Sequence, residues 1–144
     1  MNSGSTGCSY AKRSVNRGLL AKNSICVIVH LDYRMSFTNI EQLPFVGMSR
    51  EFHGEREGAP MSAYIVNAKP GQGPPLHTHP YVEVIFMLEG NAKVTIGDET
   101  REAKAGDIAI VPANTPHRFV NSGQTVLRQI DVHASPKFIQ ANLE

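Results

Sequence analysis

The sequence predicts an all-β fold, a single antiparallel sandwich or barrel, and three observations carry that expectation. Twelve Gly and nine Pro punctuate the 144 residues too often for long helices. From Met61 onward, short β-rich runs alternate with turn signals at the spacing of an antiparallel sheet protein. The length, finally, leaves room for one modest core, since a second domain would lack apolar surface to bury.

Taken in order, residues 1–34 stand apart as an N-terminal extension rich in Ser, Asn, Gly and basic residues, with Ser24 to Leu31 as their only apolar run. Four readings of this head stay open: an initiation codon placed upstream of a true start at Met35, a disordered tail, a strand that pairs with a partner subunit, or a transit peptide. Cys8 and Cys26 both fall here without zinc or redox spacing, so a disulfide framework is not implied and a reducing, cytoplasmic setting is the expectation.

The barrel is expected over 35–144, with its centre at 61–133. Strands are predicted for Met61 to Ala68, Tyr81 to Leu88, Ala92 to Ile96, Thr100 to Lys104, Ile108 to Val111, His117 to Val120 and Thr125 to Val132. Between them lie Pro70-Gly71, Glu89-Gly90-Asn91, Gly97-Asp98, Ala105-Gly106-Asp107, Pro112 to Pro116 and Asn121-Ser122-Gly123. Gly97-Asp98 joins two alternating runs as a tight hairpin, and Gly106 supplies the positive φ of a sharp turn into Ile108. Glu51, Glu55, Arg56 and Glu57 read as a solvated loop, and Pro136 to Leu143 as a closing helical turn or two.

The charge pattern excludes two classes of partner. The head carries five Lys or Arg against one acid and the remainder nine against twelve, with no basic stripe interleaved with aromatics, so no nucleic-acid footprint is present. No apolar stretch approaches the roughly 18 residues of a membrane span, and Ile25 to Val29 is too short for a secretory signal.

Chemistry concentrates in two clusters. The first runs Gly71, five residues, His77, one residue, His79, three residues, Glu83, six residues, Gly90. Alternate side chains of an extended chain share a face, so His77, His79 and Glu83 point the same way as Tyr81, Ile85 and Met87. Pro74, Pro75 and Pro80 favour extended backbone around the two histidines. The second cluster runs Gly106, five residues, Pro112, one residue, Asn114, two residues, His117, three residues, Asn121, and brings a fourth candidate ligand, His117, on the side of Phe119 and Asn121. A lone histidine is usually an ordinary hydrogen-bonded residue. Three imidazoles and a carboxylate buried together without a cation would be heavily penalised by desolvation, so the set points to a metal. His30, His53 and His133 have no partners at ligand spacing and read as ordinary residues, and Ile85, Met87 and Phe119 as wall and core.

The two clusters resemble the paired signature motifs of the cupin superfamily, matching at Gly71, His77, His79, Glu83 and Gly90 and again at Gly106, Pro112, His117 and Asn121. Asn114 stands where the family usually has Gly, and Asn tolerates the left-handed backbone that such a turn needs. The 15 residues from Asn91 to Ala105 between the motifs resemble the most compact single-domain members. The resemblance implies a double-stranded β-helix, or jelly-roll (RmlC-like), barrel binding one divalent ion, Fe, Mn, Ni, Zn, Cu or Co, through His77, His79, Glu83 and His117. It also implies a homodimer paired through a sheet face, with Val84, Phe86 and Leu88 alternating outward.

Two functions remain open at this point. One is a metalloenzyme of dioxygenase, isomerase or lyase type acting on a small organic acid, phenol or sugar-like molecule that chelates through oxygen. The other is a non-catalytic binding or sensing module for a small molecule. Catalytic groups beyond the ligands are not identifiable, because the inward parity of Tyr64, Arg128 and Gln129 is not set by their own segments. Glu83 argues against thiol dioxygenases of the family, which typically use three His alone.

Overall fold

Turn chemistry in the sequence cuts the chain into strands too short to bury a face alone, and the computed structural model, described over residues 36–143, stacks them as two antiparallel sheets. A 3₁₀ turn at Ile40–Gln42 is capped by the Asn39 side chain and leads into β1 (Phe45–Val46) and β2 (Ser49–Phe52). One helical turn, α1 (Gly54–Glu57), precedes β3 (Ser62–Ala68), β4 (His77–Thr78), β5 (Glu83–Glu89), β6 (Asn91–Ile96) and β7 (Glu99–Lys104). The chain continues through β8 (Ile108–Val111), β9 (His117–Asn121), β10 (Leu127–His133) and β11 (Ala141–Asn142). One sheet has the order β1-β2-β3-β10-β5-β8 and the other β11-β4-β9-β6-β7, the jelly-roll barrel expected from the motifs.

The strands predicted from Met61 onward form within two residues at each end. Gly97-Asp98 closes the β6–β7 hairpin with Gly97 at φ 58°, and Gly106 turns at φ 93°. Asn114 takes the left-handed conformation, φ 60°, and its N–H donates to the His79 carbonyl at 2.7 Å, tying the second motif to the first. Gly73 is required for a different reason, because a Cβ there would stand 1.9 Å from the Phe119 carbonyl oxygen.

Two expectations are corrected. The solvated loop read at Glu51 and Glu55 to Glu57 is instead strand β2 followed by α1, because β2 pairs along its whole length with β3. The tail is not helical: Pro136 accepts from the Glu55 N–H and the Ser62 hydroxyl, Phe138 packs on the rings of Tyr64 and His133, and β11 pairs with β4. Long-range pairing and ring burial outweigh local helical preference there. The readings made for residues 1–34, including Cys8, Cys26 and His30, lie outside the described residues.

Inward side chains of both sheets fill the barrel. Val66, Ile85, Met87, Val94, Phe119 and Leu127 are all buried, and a fully buried side chain of this size contributes about 1.5–3 kcal/mol. The alternation continues outward, where Phe86, Leu88, Ile108 and Ile110 remain exposed on the six-stranded sheet. At one end of the barrel the apolar filling gives way to polar groups, and the two motifs meet there.

Candidate metal centre

Each of the four predicted residues reaches the barrel interior from a strand end. His77 lies on β4, His79 just beyond it, Glu83 opens β5 and His117 opens β9. His77 and His117 face each other across β4 and β9, and all four side chains are buried. One ligand atom from each falls within 4.8 Å of every other, close enough for a single ion to be held between them.

The tautomers suit such an ion. Nδ1 of His77 lies 2.8 Å from the Pro75 carbonyl, Nδ1 of His79 2.6 Å from that of Ile139, and Nδ1 of His117 2.8 Å from that of Thr115. A carbonyl only accepts, so each Nδ1 carries the hydrogen; Nε2 of His77 and His79 keeps its lone pair for the interior, and that of His117 holds a proton toward Glu83 that a metal ion would displace. His79 Nε2 has no hydrogen-bond partner; Glu83 Oε2 is 3.4 Å away without the alignment of a hydrogen bond. Glu83 Oε2 also lies 2.7 Å from His117 Nε2. Three nitrogen donors and a carboxylate with an orphaned buried nitrogen are a donor set that fits a first-row divalent ion.

The electrostatics agree. Burial alone would raise the Glu83 carboxyl, but the His117 hydrogen bond and the approach of His79 outweigh it and hold the group ionised, well below the usual carboxylate range. Burial lowers His77, whereas His117 is raised because its contact with Glu83 overcomes its own burial. His77 therefore stays neutral and ready to donate its lone pair.

A cavity of about 220 Å³ opens onto the tetrad. Its walls include residues that local spacing did not single out. His133 pairs across β10–β5 with Glu83, lies edge-on to His79 at 4.7 Å between ring centres, and is pushed down to about 4 by burial. It stays outside the four-residue cluster, as its reading as a non-ligand expects, and lines the cavity beside it. Glu51, read as solvated, lines the cavity from β2, and Tyr64 and Asp131 line it from β3 and β10. Asp131 is pushed well above its usual range by burial and by the Glu83 charge. Of the strand residues with unresolved parity, Tyr64 and Gln129 face inward, whereas Arg128 faces outward and pairs with Glu89. The missed signal was the alternation of β10, in which Gln129, Asp131 and His133 share the face of Leu127.

Comparisons with known proteins agree with this fold. The family profile described as Cupin domain matches residues 64–133. The chain is 38% identical over 55 residues to an uncharacterized protein of Methanocaldococcus jannaschii, covering 37% of this chain and 43% of that one. It is 33% identical over 69 residues to the polyketide synthase CurC of Streptomyces cyaneus, covering 47% and 44%. It thus spans about half the length of the curated relatives it matches. Among solved structures it is similar to the Lactobacillus farciminis oxalate decarboxylase (TM-score 0.62, 24% identity, 69% of this chain, 32% of that one). An oxalate oxidase is similar at TM-score 0.64 and 18% identity, over 74% of this chain and 63% of that one, a likeness of fold. Two motifs, one barrel and one inward His/Glu cluster thus define a class, the small barrels able to hold a metal ion. Residues 64–133 match the Cupin domain family, and the barrel they form has the cupin fold.

Proposed function

We propose that His77, His79, Glu83 and His117 hold one divalent transition metal ion and that the chain is a metalloenzyme acting on a small molecule that chelates through oxygen. The observation that carries this reading is the common orientation of the three imidazoles: each Nδ1 is bonded to a backbone carbonyl, leaving three Nε2 atoms and one carboxylate turned to one point. A bound ion supplies Lewis acidity toward an oxygen ligand. The chain's own part is to orient that ligand in the adjoining cavity and to limit water there, with the rings of Tyr64, Phe138 and His133 forming much of its wall. A non-catalytic binding module is the second reading, favoured by a cavity wall that, among the described residues, offers no Lys or Arg to steady a developing negative charge.

Protein purified without chelator is expected to carry one equivalent of metal by mass spectrometry, and His79→Ala to lose it. Turnover, followed by oxygen uptake and product analysis over a panel of chelating acids and phenols, separates the enzyme from the module. A protein that takes up no stoichiometric ion under any metal supplied sinks both readings.

Pairing with a second copy belongs to the same proposal. Phe86, Leu88, Ile108 and Ile110 on neighbouring strands β5 and β8 leave a continuous apolar stripe on the outer face of the six-stranded sheet, 38% to 65% exposed. A homodimer buries that stripe by apposing two such faces about a twofold axis.

A further inference from the structure

The register of the six-stranded sheet lays its inward residues in rows. One row runs Ser62, His133, Glu83, Val111 across β3, β10, β5 and β8. The adjacent inward row runs Glu51, Tyr64, Asp131, Ile85 across β2, β3, β10 and β5. Two residues along a strand span about 7 Å, so the second row sits one small-molecule width from the carboxylate of the tetrad. Glu51, Tyr64 and Asp131 all line the same cavity, and among the described residues no Lys or Arg lines it. Glu51 engages His53 Nε2 through one oxygen, Oε2, at 2.8 Å. His133, itself 3% exposed, lines the cavity too, and its Nδ1 has no hydrogen-bond partner among the described residues. The space is about 220 Å³, the share of about seven liquid waters, enough for a single small ring.

We propose that the row Glu51, Tyr64 and Asp131 selects a small, neutral, ring-sized ligand with adjacent hydroxyl groups, and selects against dianions of the oxalate type. This inference rests on the metal reading above. Two oxygens of such a ligand face the tetrad, and its remaining edge meets the Glu51 carboxylate, the Tyr64 hydroxyl and aromatic rings. A dicarboxylate turned the same way would set its far carboxylate toward the acidic side chain of Glu51, with no Lys or Arg among the described wall residues to offset the repulsion. Similarity of fold to oxalate enzymes therefore does not extend to ligand charge.

The test is calorimetric titration of the full chain loaded with Mn(II), using catechol and oxalate as probes, for wild type, Glu51→Gln and Glu51→Lys. Glu51 is partly solvent-accessible, so both variants are expected to fold, and circular dichroism checks this. Wild type is expected to bind catechol, and the oxalate-to-catechol affinity ratio to rise about tenfold or more in Glu51→Lys, with a smaller rise in the same direction in Glu51→Gln. A ratio that moves less than twofold in Glu51→Lys, or wild type that binds oxalate but not catechol, overturns the inference. Metal content is measured first. Failure to load one equivalent of Mn(II) or of any other divalent ion fails the parent reading and this one with it, whereas full loading with an unmoved ratio fails this one alone.

Discussion

Tyr81 does not touch the tetrad's interior, yet the structure makes it responsible for one of the ligands. Its hydroxyl donates to the Ile139 carbonyl at 3.1 Å and accepts from the Ile139 N–H at 2.8 Å, pinning the C-terminal segment at the residue whose carbonyl orients His79. Its ring also stacks on His79, 5.3 Å between centres and 4° from parallel. Tyr81→Phe keeps the stacking and removes the pin. Two hydrogen bonds at about 0.5–1.5 kcal/mol each, discounted because the site is partly open, set the stability loss near 1–2 kcal/mol. Loosening a partner that orients a metal ligand typically weakens metal binding about 10- to 100-fold, so a loss of roughly 1.4–2.7 kcal/mol in metal affinity is expected on top. The assay is competition against a chromogenic chelator with Zn(II) or Co(II), paired with thermal unfolding of the metal-free protein. Thr100→Val, which removes the Thr95 to Thr100 hydroxyl contact on the β6–β7 hairpin, is the control: it should leave metal affinity unchanged. A metal Kd for Tyr81→Phe within twofold of wild type would refute the reasoning, whatever happened to the melting temperature.

Three further outcomes are expected. Metal-induced stabilisation should grow with pH between about 6 and 8: His117 is raised in the fold, so its stabilising proton is fully bound below about 6.5 and is lost as pH rises through the folded value, and a metal ion takes the place that proton leaves. Melting curves with and without Zn(II) across that range check it, and a shift independent of pH would contradict it. Asn121→Ala should cost about 2–5 kcal/mol in urea unfolding, because the Asn121 amide donates to the carbonyls of Ala68 and Thr125 and accepts from the Gly123 N–H in the buried interior. Phe86→Lys on the outer face should convert the proposed dimer to monomer in multi-angle light scattering at unchanged metal content; wild type running as a monomer would remove the basis for that expectation.

Much of this molecule follows from local rules. The two-residue connection at Gly97-Asp98, the positive φ at Gly106 and Asn114, and the strand ends around them depend only on which backbone conformations those residues tolerate. The common face of His77, His79 and Glu83 follows likewise from the two-residue period of extended chain. Where local rules failed, a distant partner had decided. Glu51 looks like a loop residue until β3 pairs with its strand, and Pro136 to Leu143 looks helical until Phe138 finds the rings of Tyr64 and His133.

What the amino-acid sequence determined by itself was the strand schedule, the turns and the common face of His77, His79 and Glu83, because these depend on neighbours a few residues apart. Only the tertiary structure decided that His133 stands beside Glu83, that Glu51, Tyr64 and Asp131 form one row, and that the C-terminal segment holds His79. Those facts reside in the register between strands drawn from remote parts of the chain. A shift of one residue in any of these pairings would turn the same side chains to the opposite face of the sheet.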